Sequence, residues 1–358
     1  MTDSRATPPT GLDPRQEEVL KAILAAHLES GEPVGSGTVS GRLDDRASSA
    51  TVRHVMSRLE LDGWLVQPHR SAGRVPTEAA WRLYVDHWLE RPALDGRDAT
   101  AIVRSLRARG SFDRTLASAG RLLSQFTSQV GLVLAPEMNR WEIRRLEFVR
   151  LNDRIAEAIL VSRAGAVEHR RVELDAGWNQ DALDRCGKYL TDRYGGMTLP
   201  QMRVALRFDL DAERAVADEA HRRTLELARD TVRPALDGAA DVIVQGASNL
   251  VEAPEFADPV EIRGVLRTFE EKRRLLELLS QLVDVDGPTA RIGEESGIEG
   301  LERCSIVTSS YGSAGRLLGS VGIVGPIRME YGRAFALVEH LGRSLSQWVD
   351  GAVEELPE

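Results

Sequence analysis

Along the first ninety positions, apolar residues recur at helical spacing and are interrupted by turn-forming residues. Asp13-Pro14 places a capping residue before a proline at the first helical position. Val19, Leu20, Ile23, Leu24 and Leu28 follow three to four residues apart, which predicts a helix ending at Gly31. Glu32 to Gly35 turns the chain, Ser36 caps a shorter helix carrying Val39 and Leu43, and Asp44 to Ala47 forms another turn. Ser48 and Ser49 both offer caps to a third helix, which reaches about Leu61 and stops at Gly63. Its apolar stripe is Val52, Val55, Met56 and Leu59. The pattern then changes to a short apolar strand (Trp64–Gln67), a turn from Pro68 to Gly73 and a return at Arg74–Pro76. Thr77 caps a further amphipathic helix with Trp81, Tyr84, Val85, Trp88 and Leu89 on one side.

Beyond a hinge at Pro92–Gly96, helical spacing returns through Leu106, Phe112, Leu116 and Leu123 to Phe126. Strands are predicted at Gly131–Ala135, Ile143–Leu151, Ala156–Val161 and Val167–Leu174, with turns at Asn152-Asp153 and Ala164-Gly165. Helices at 178–194 and 211–230 follow, then a strand at Asp241–Val244 and a turn at Ser248-Asn249. A long helix from Val260 to about Val283 carries Ile262, Val265, Leu266, Phe269, Leu276, Leu279 and Val283, a stripe that suits either plain core or a dimer contact. Strands at Cys304–Thr308 and Leu317–Val324 and a helix from Tyr331 to Val349 close the chain.

The 358 residues are 42% hydrophobic and 28% charged, enough apolar material for two to three packed domains. A net charge of −9 argues against indiscriminate coating of nucleic acid or anionic membrane. The charge is unevenly placed. Between Arg46 and Arg74, five arginines stand against Glu60 and Asp62, a local net of +3, with His54 and His69 in addition. No apolar run approaches the ~20 residues that cross a bilayer, and Met1–Gly11 is polar without the apolar core of a secretory signal. A soluble, cytoplasmic chain with no membrane contact is the expectation, with residues 1–11 disordered.

Candidate catalysis is sparse, and neither an enzyme nor a cofactor is expected. Cys186 and Cys304 are too few for a disulfide framework or a structural zinc site, and the seven histidines make no metal-ligand pair. Cys304 lies in an apolar strand and is expected to be buried and inert. Gly312-Ser313-Ala314-Gly315 lacks the spacing of a nucleophile elbow. Gly35-Ser36-Gly37 has no phosphate-loop lysine after it.

The third helix is different. Opposite its apolar stripe it carries Thr51, Arg53, His54, Ser57 and Arg58, with 53 and 57, and 54 and 58, as surface neighbours four apart. Such a face occurs on ordinary solvated helices, but here a hairpin bearing His69, Arg70 and Arg74 follows it, the arrangement of a winged helix. Ser49, Thr51, Arg53, His54, Ser57 and Arg58 are therefore candidates for DNA contact, with His69, Arg70 and Arg74 on the wing.

Several segments carry a family resemblance. Gly31-Glu32-Pro33-Val34-Gly35-Ser36, Ala50-Thr51-Val52-Arg53 and Pro68 to Thr77 resemble the N-terminal domain of HrcA, the heat-inducible transcription repressor family. Gly246-Ala247-Ser248-Asn249-Leu250, Pro254-Glu255-Phe256, Arg291 to Glu295 and Gly325 to Tyr331 resemble further family segments, in the same order. Departures stand at Gly37, Ser49, His54 and Arg70, where the family usually has a basic residue, proline, asparagine and threonine.

The resemblance implies an α+β multidomain chain: a winged helix-turn-helix (12–91) and a GAF-like α/β domain (97–150 and 236–350) with an inserted dimerisation domain (151–235). It implies a homodimer repressing heat-shock genes at an inverted-repeat operator in double-stranded DNA, with activity supported by the GroEL chaperonin. Two other readings stay open: a regulator whose GAF-like domain senses a small molecule, and a winged helix that docks protein instead of DNA.

Overall fold

The computed structural model describes residues 11–43, 48–107, 112–136, 142–163, 165–213, 219–235, 242–251, 253–256, 258–283, 287–313 and 316–354. The expected disordered start (residues 1–10 of it) and the turn at 44–47 lie outside them.

At the N-terminus, α1 spans Pro14–Ser30. The Asp13 carboxylate accepts the Arg15 and Gln16 amides, and the Gln16 side chain accepts the Asp13 amide in return, so the first turn is capped from both sides. α2 (Ser36–Arg42) starts after Gly35. Ser36 is not its cap, because the hydroxyl is used elsewhere, 2.9 Å from the Ser49 hydroxyl. α3 (Ser49–Leu61) is capped by Ser48, whose Oγ accepts the Thr51 amide. Val52, Met56 and Leu59 are buried beneath it.

The hairpin β1 (Leu65–Val66) and β2 (Val75–Pro76) is antiparallel, with Leu65 opposite Pro76. Val34 extends it by exchanging two 2.9 Å backbone bonds with Arg74. The approach is close enough that a Cβ on Gly73 would lie 2.4 Å from the Val34 carbonyl, which only glycine accommodates. Thr77 caps α4 (Glu78–Leu83), and the continuation Tyr84–Trp88 is a π-helical turn in place of the predicted plain helix.

α5 (Gly96–Arg107) and α6 (Phe112–Thr127) lead to β3 (Val130–Leu134). Next come β4 (Ile143–Arg150), β5 (Ile155–Ser162), β6 (Val167–Glu173), α7 (Gln180–Tyr194), α8 (Leu199–Glu213) and α9 (Glu219–Ala235). β7 (Val242–Gln245), α10 (Ser248–Val251), a 3-10 turn at Pro254–Phe256, α11 (Pro259–Glu270) and α12 (Lys272–Val283) follow. The chain ends through β8 (Thr289–Ile292), a 3-10 turn at Gly293–Ser296, β9 (Cys304–Ser313), β10 (Arg316–Pro326) and α13 (Tyr331–Glu354).

The main sheet is antiparallel throughout, in the order β7-β3-β10-β9-β8. Alternation of side chains gives it two apolar faces. Val133, Val307, Val321 and Ile323 join α1, α5, α6 and α13 in one core, while Val130, Leu132, Ile306 and Val324 join α11 and α12 in another. β3 and β7 pair directly, Gly131 opposite Gln245, although more than a hundred residues separate them. The intervening excursion has its own sheet, β4-β5-β6, and its own apolar cluster. β4 belongs to that sheet, with Leu146 opposite Leu160, so the excursion starts before position 151, its expected edge.

Other expectations are corrected too. The run 260–283 is two helices with a break at Glu271, because positions 272–274 are Lys-Arg-Arg and leave a straight stripe without apolar residues. Past the break the buried set shifts phase to Leu275, Leu278, Leu279 and Leu282. The helix expected at 211–230 is replaced by α8 and α9, the turn at 248–249 opens a short helix, and β8 is an additional, unpredicted strand. The hinge at 92–96 does not separate two cores. Trp81, Leu83 and Val85 share one apolar cluster with Met329, Tyr331 and Phe335.

Candidate nucleic-acid interface

The face of α3 turned away from Val52, Met56 and Leu59 presents Thr51, Arg53, His54 and Arg58 to solvent. The guanidinium groups of Arg53 and Arg58 form no ion pair with any described residue. His69 and Arg70 are exposed at the wing tip. Four of these six exposed residues lie on α3 and two on the wing, and the two elements are linked by Arg74, which bonds Glu60 and Ser57 of α3.

Three other candidates are turned inward. Ser49 is half-buried, and its hydroxyl meets that of Ser36, joining α2 to α3. The Ser57 hydroxyl donates to the Arg53 carbonyl one turn back and accepts from Arg74 Nη2 at 3.3 Å. Arg74, expected as a free cation on the wing, is engaged internally. Its Nε donates to Glu60 at 2.9 Å, and its side chain is only 14% exposed. It braces the wing against α3; Glu60 is already subtracted in the local net of +3, so the pairing leaves that net unchanged and takes one arginine out of the candidate surface.

Gln67 is a residue that sequence reasoning missed. Its Nε2 donates to the carbonyls of Arg70 and Ala72 at 3.1 and 2.9 Å, and Ala72 N–H bonds back to His69 O. The wing tip is thereby shaped from within. An amide side chain at the mouth of a six-residue turn is the signal that points to it. Thr77 does similar work at the base, its hydroxyl donating to Gly63 O at 2.8 Å.

Elsewhere the chemistry is muted. Cys186 and Cys304 are both buried, and burial pushes each thiol up to about 12, far from the thiolate a nucleophile needs. Among the described residues no group of three or more His, Cys, Asp or Glu could hold a metal ion, and no helix is long and apolar enough to cross a membrane. A cavity of about 580 Å³ lies between the end of α1 and the body, walled by Gln129, Asn249, Glu255, Arg328, Glu330 and Arg333 among others.

Comparison with known proteins bears on this surface. Residues 113–335 match the family described as "HrcA protein C terminal domain". The chain is 35% identical over 346 residues to the "Heat-inducible transcription repressor HrcA" of Syntrophobacter fumaroxidans, covering 96% of this chain and 99% of that protein. The chain belongs to the HrcA family of heat-inducible transcription repressors. The HrcA of Geobacter sulfurreducens is likewise 35% identical, over 343 residues, and that of Brevibacillus brevis 34%, over 349. Each match covers 96% of this chain, so the HrcA relationship includes the α3 face and the wing as well as the body. A solved chain described as a hypothetical protein, determined at 2.2 Å, shares the fold at 22% identity and a TM-score of 0.59, covering 95% of this chain and 99% of that one. As a member of this family the protein is a heat-inducible transcription repressor, and the polar face of α3 is its best-formed candidate for DNA contact.

Proposed function

We propose that two copies of this chain bind an inverted-repeat operator in double-stranded DNA upstream of chaperone genes, in the cytoplasm, and repress by occupying the promoter. The observation that carries this reading is the exposed set Arg53, His54 and Arg58 on one face of α3, whose side chains have no ion-pair partner among the described residues, together with the wing. An α-helix fits the major groove, where an arginine fork matches the O6 and N7 of guanine. Thr51 and His54 supply shorter contacts on the same face, and His69 and Arg70 hold backbone phosphate from the wing. Ser49, Ser57 and Arg74 support this surface from behind. Repression of this kind needs occupancy alone, with no catalytic step.

An inverted repeat calls for two readers related by a two-fold axis. The excursion β4–α9 is the proposed dimerisation unit. Phe208 and Val204 on α8, one helical turn apart, are 71% and 53% exposed, an apolar pair that solvent disfavours. The GroEL chaperonin is proposed to support the active repressor, so that heat-damaged proteins competing for it release the operator.

A gel-shift titration on the promoter of the protein's own chaperonin genes, with and without GroEL, tests this. A specific shift strengthened by GroEL supports the reading; equal binding to unrelated DNA defeats it. The cavity of about 580 Å³ favours one second reading, a regulator that senses a small molecule. A metabolite that raises the melting temperature and alters operator affinity would establish it.

A further inference from the structure

The segments Pro254–Phe256, Arg291–Glu295 and Gly325–Tyr331, which the DNA-reading surface does not use, all meet the N-terminal head or the residues that grip it. The seam has two polar anchors. In the first, Arg82 on α4 donates through Nε to Glu295 at 2.8 Å and through Nη2 to the Ala290 carbonyl at 2.8 Å. Beside it the Glu78 carboxylate accepts the Glu294 amide at 3.1 Å. Gly293 has φ +57, and a Cβ there would lie 2.1 Å from the Glu78 carboxyl carbon, so the turn after β8 is shaped to receive this side chain. Burial alone would raise the Glu295 pKa, but Arg82 and the Ile292 amide outweigh it and hold the carboxylate below its ordinary range.

In the second anchor, Arg328 between β10 and α13 donates to Glu255 through Nε at 2.5 Å and to Leu28 O through Nη1 at 2.7 Å. Leu28 lies in the last turn of α1, whose carbonyls lack helical partners and favour a cation. Between the anchors, the Trp81 ring packs 5.9 Å from that of Tyr331, and Arg91 covers Phe335 at 4.4 Å. Tyr331 is itself fixed, its hydroxyl 2.6 Å from Ser305 Oγ.

We infer that this seam is a rigid mount for the DNA-reading head, with Arg82, Glu295, Arg328 and Glu255 as positioning residues that set which half-site spacing the dimer accepts. None of the four lies on the face proposed to touch DNA. The inference rests on the operator reading above for its consequence, but the mount itself does not. A head on a loose tether would reach half-sites at many separations. Displacing a reader by about 3.4 Å along the axis already amounts to one base pair. Two heads bolted to one two-fold body therefore select a spacing, and the second contact gains effective concentration only when that spacing is met.

The test uses the full chain carrying Leu61→Cys on the head and Val251→Cys on the body, exposed positions, with native Cys186 and Cys304 buried. Spin-labelled protein diluted into unlabelled chain is measured by pulsed EPR, with and without the triple change R82Q/E255Q/R328Q. The native chain should give one narrow distance distribution, and the variant one at least about twofold wider. On operators with half-sites moved apart or together by one or two base pairs, native protein should prefer one spacing by at least about tenfold. The variant should keep its affinity for a single half-site and lose most of that preference.

An unchanged distribution, or an unchanged spacing preference, overturns the inference. A broadened distribution in a protein whose native form binds no operator instead refutes the operator reading and leaves the mount standing. Should the triple variant unfold, Glu295→Gln alone is measured against the same outcomes.

Discussion

Arg74, on the returning strand of the wing, donates to Glu60 on α3 at 2.9 Å and so ties together the two elements proposed to face DNA. One partner is largely buried and the other a third exposed, which sets the pair at about 1 kcal/mol, at the upper end for partly solvated pairs. Arg74→Ala should lower the melting temperature of the head and weaken binding to every sequence without changing the salt dependence. Arg70→Ala should do the reverse: stability within about 0.5 kcal/mol of native, and a salt slope shallower by about 0.9 for one lost phosphate contact. Binding isotherms at several salt concentrations separate the two, and a shallower slope for Arg74→Ala would return that residue to the DNA surface.

Arg53 and Arg58 are exposed on α3 and form no ion pair among the described residues, so their substitution should leave folding intact. Arg53→Ala or Arg58→Ala should cost about 1–3 kcal/mol on the operator and relax preference at one base pair per half-site. A selection over randomised operators reads this directly. Equal losses on operator and random DNA would assign both arginines to phosphate.

Phe208, 71% exposed on α8, is a large aromatic side chain whose exposure calls for a partner. Phe208→Glu should shift the chain toward monomer in analytical ultracentrifugation with no loss of helix content. Affinity for the intact repeat should fall toward that for a half-site. A stable dimer in this variant would move the interface to another surface.

His27 lies buried in the last turn of α1, its Nδ1 3.0 Å from the Glu32 carbonyl. A carbonyl only accepts, so Nδ1 carries the proton of the neutral ring. Burial lowers its pKa below 6.5; the bond to Glu32 opposes this, Arg328 adds to the lowering, and the Glu255 and Glu32 carboxylates oppose it. As pH falls through 6.5 the unfolded chain takes up a proton that the folded chain refuses. The contribution of His27 is therefore present above that pH and is lost on the way down to the folded-state value. The melting temperature should drop more between about pH 7.5 and pH 5.5 in native protein than in His27→Gln. Equal drops would remove His27 from the acid response.

Much of the head is legible in the amino-acid sequence, because caps and stripes are local. Asp13-Pro14 starts α1, Ser48 starts α3, and a helix followed by a hairpin forms the wing. Alternation likewise locates most strands of both sheets. What escapes depends on partners distant in sequence. β8 is a four-residue edge strand, too short for alternation to register, and it exists because Ala290 pairs with Val307. The charge count does not show which charges pair: Arg74 and Glu60, both in the +3 tally, meet each other across the helix–wing gap. Ser36 and Ser49 both look like caps, and only the packing of α2 against α3 shows that they bond each other. The exposed helix candidates, Thr51, Arg53, His54 and Arg58, are readable as a face because exposure follows from the stripe opposite, whereas His69 and Arg70 are readable from the polar turn between two short strands.

The most direct measurement is the affinity of the purified full chain, at one salt concentration, for an intact inverted repeat from its chaperonin promoter, a single half-site and a scrambled duplex. Binding to the intact repeat by two chains, at least about 1,000-fold tighter than to scrambled DNA and well above the half-site, is the predicted result. Equal affinity for all three duplexes would contradict the claim that paired α3 faces read the operator.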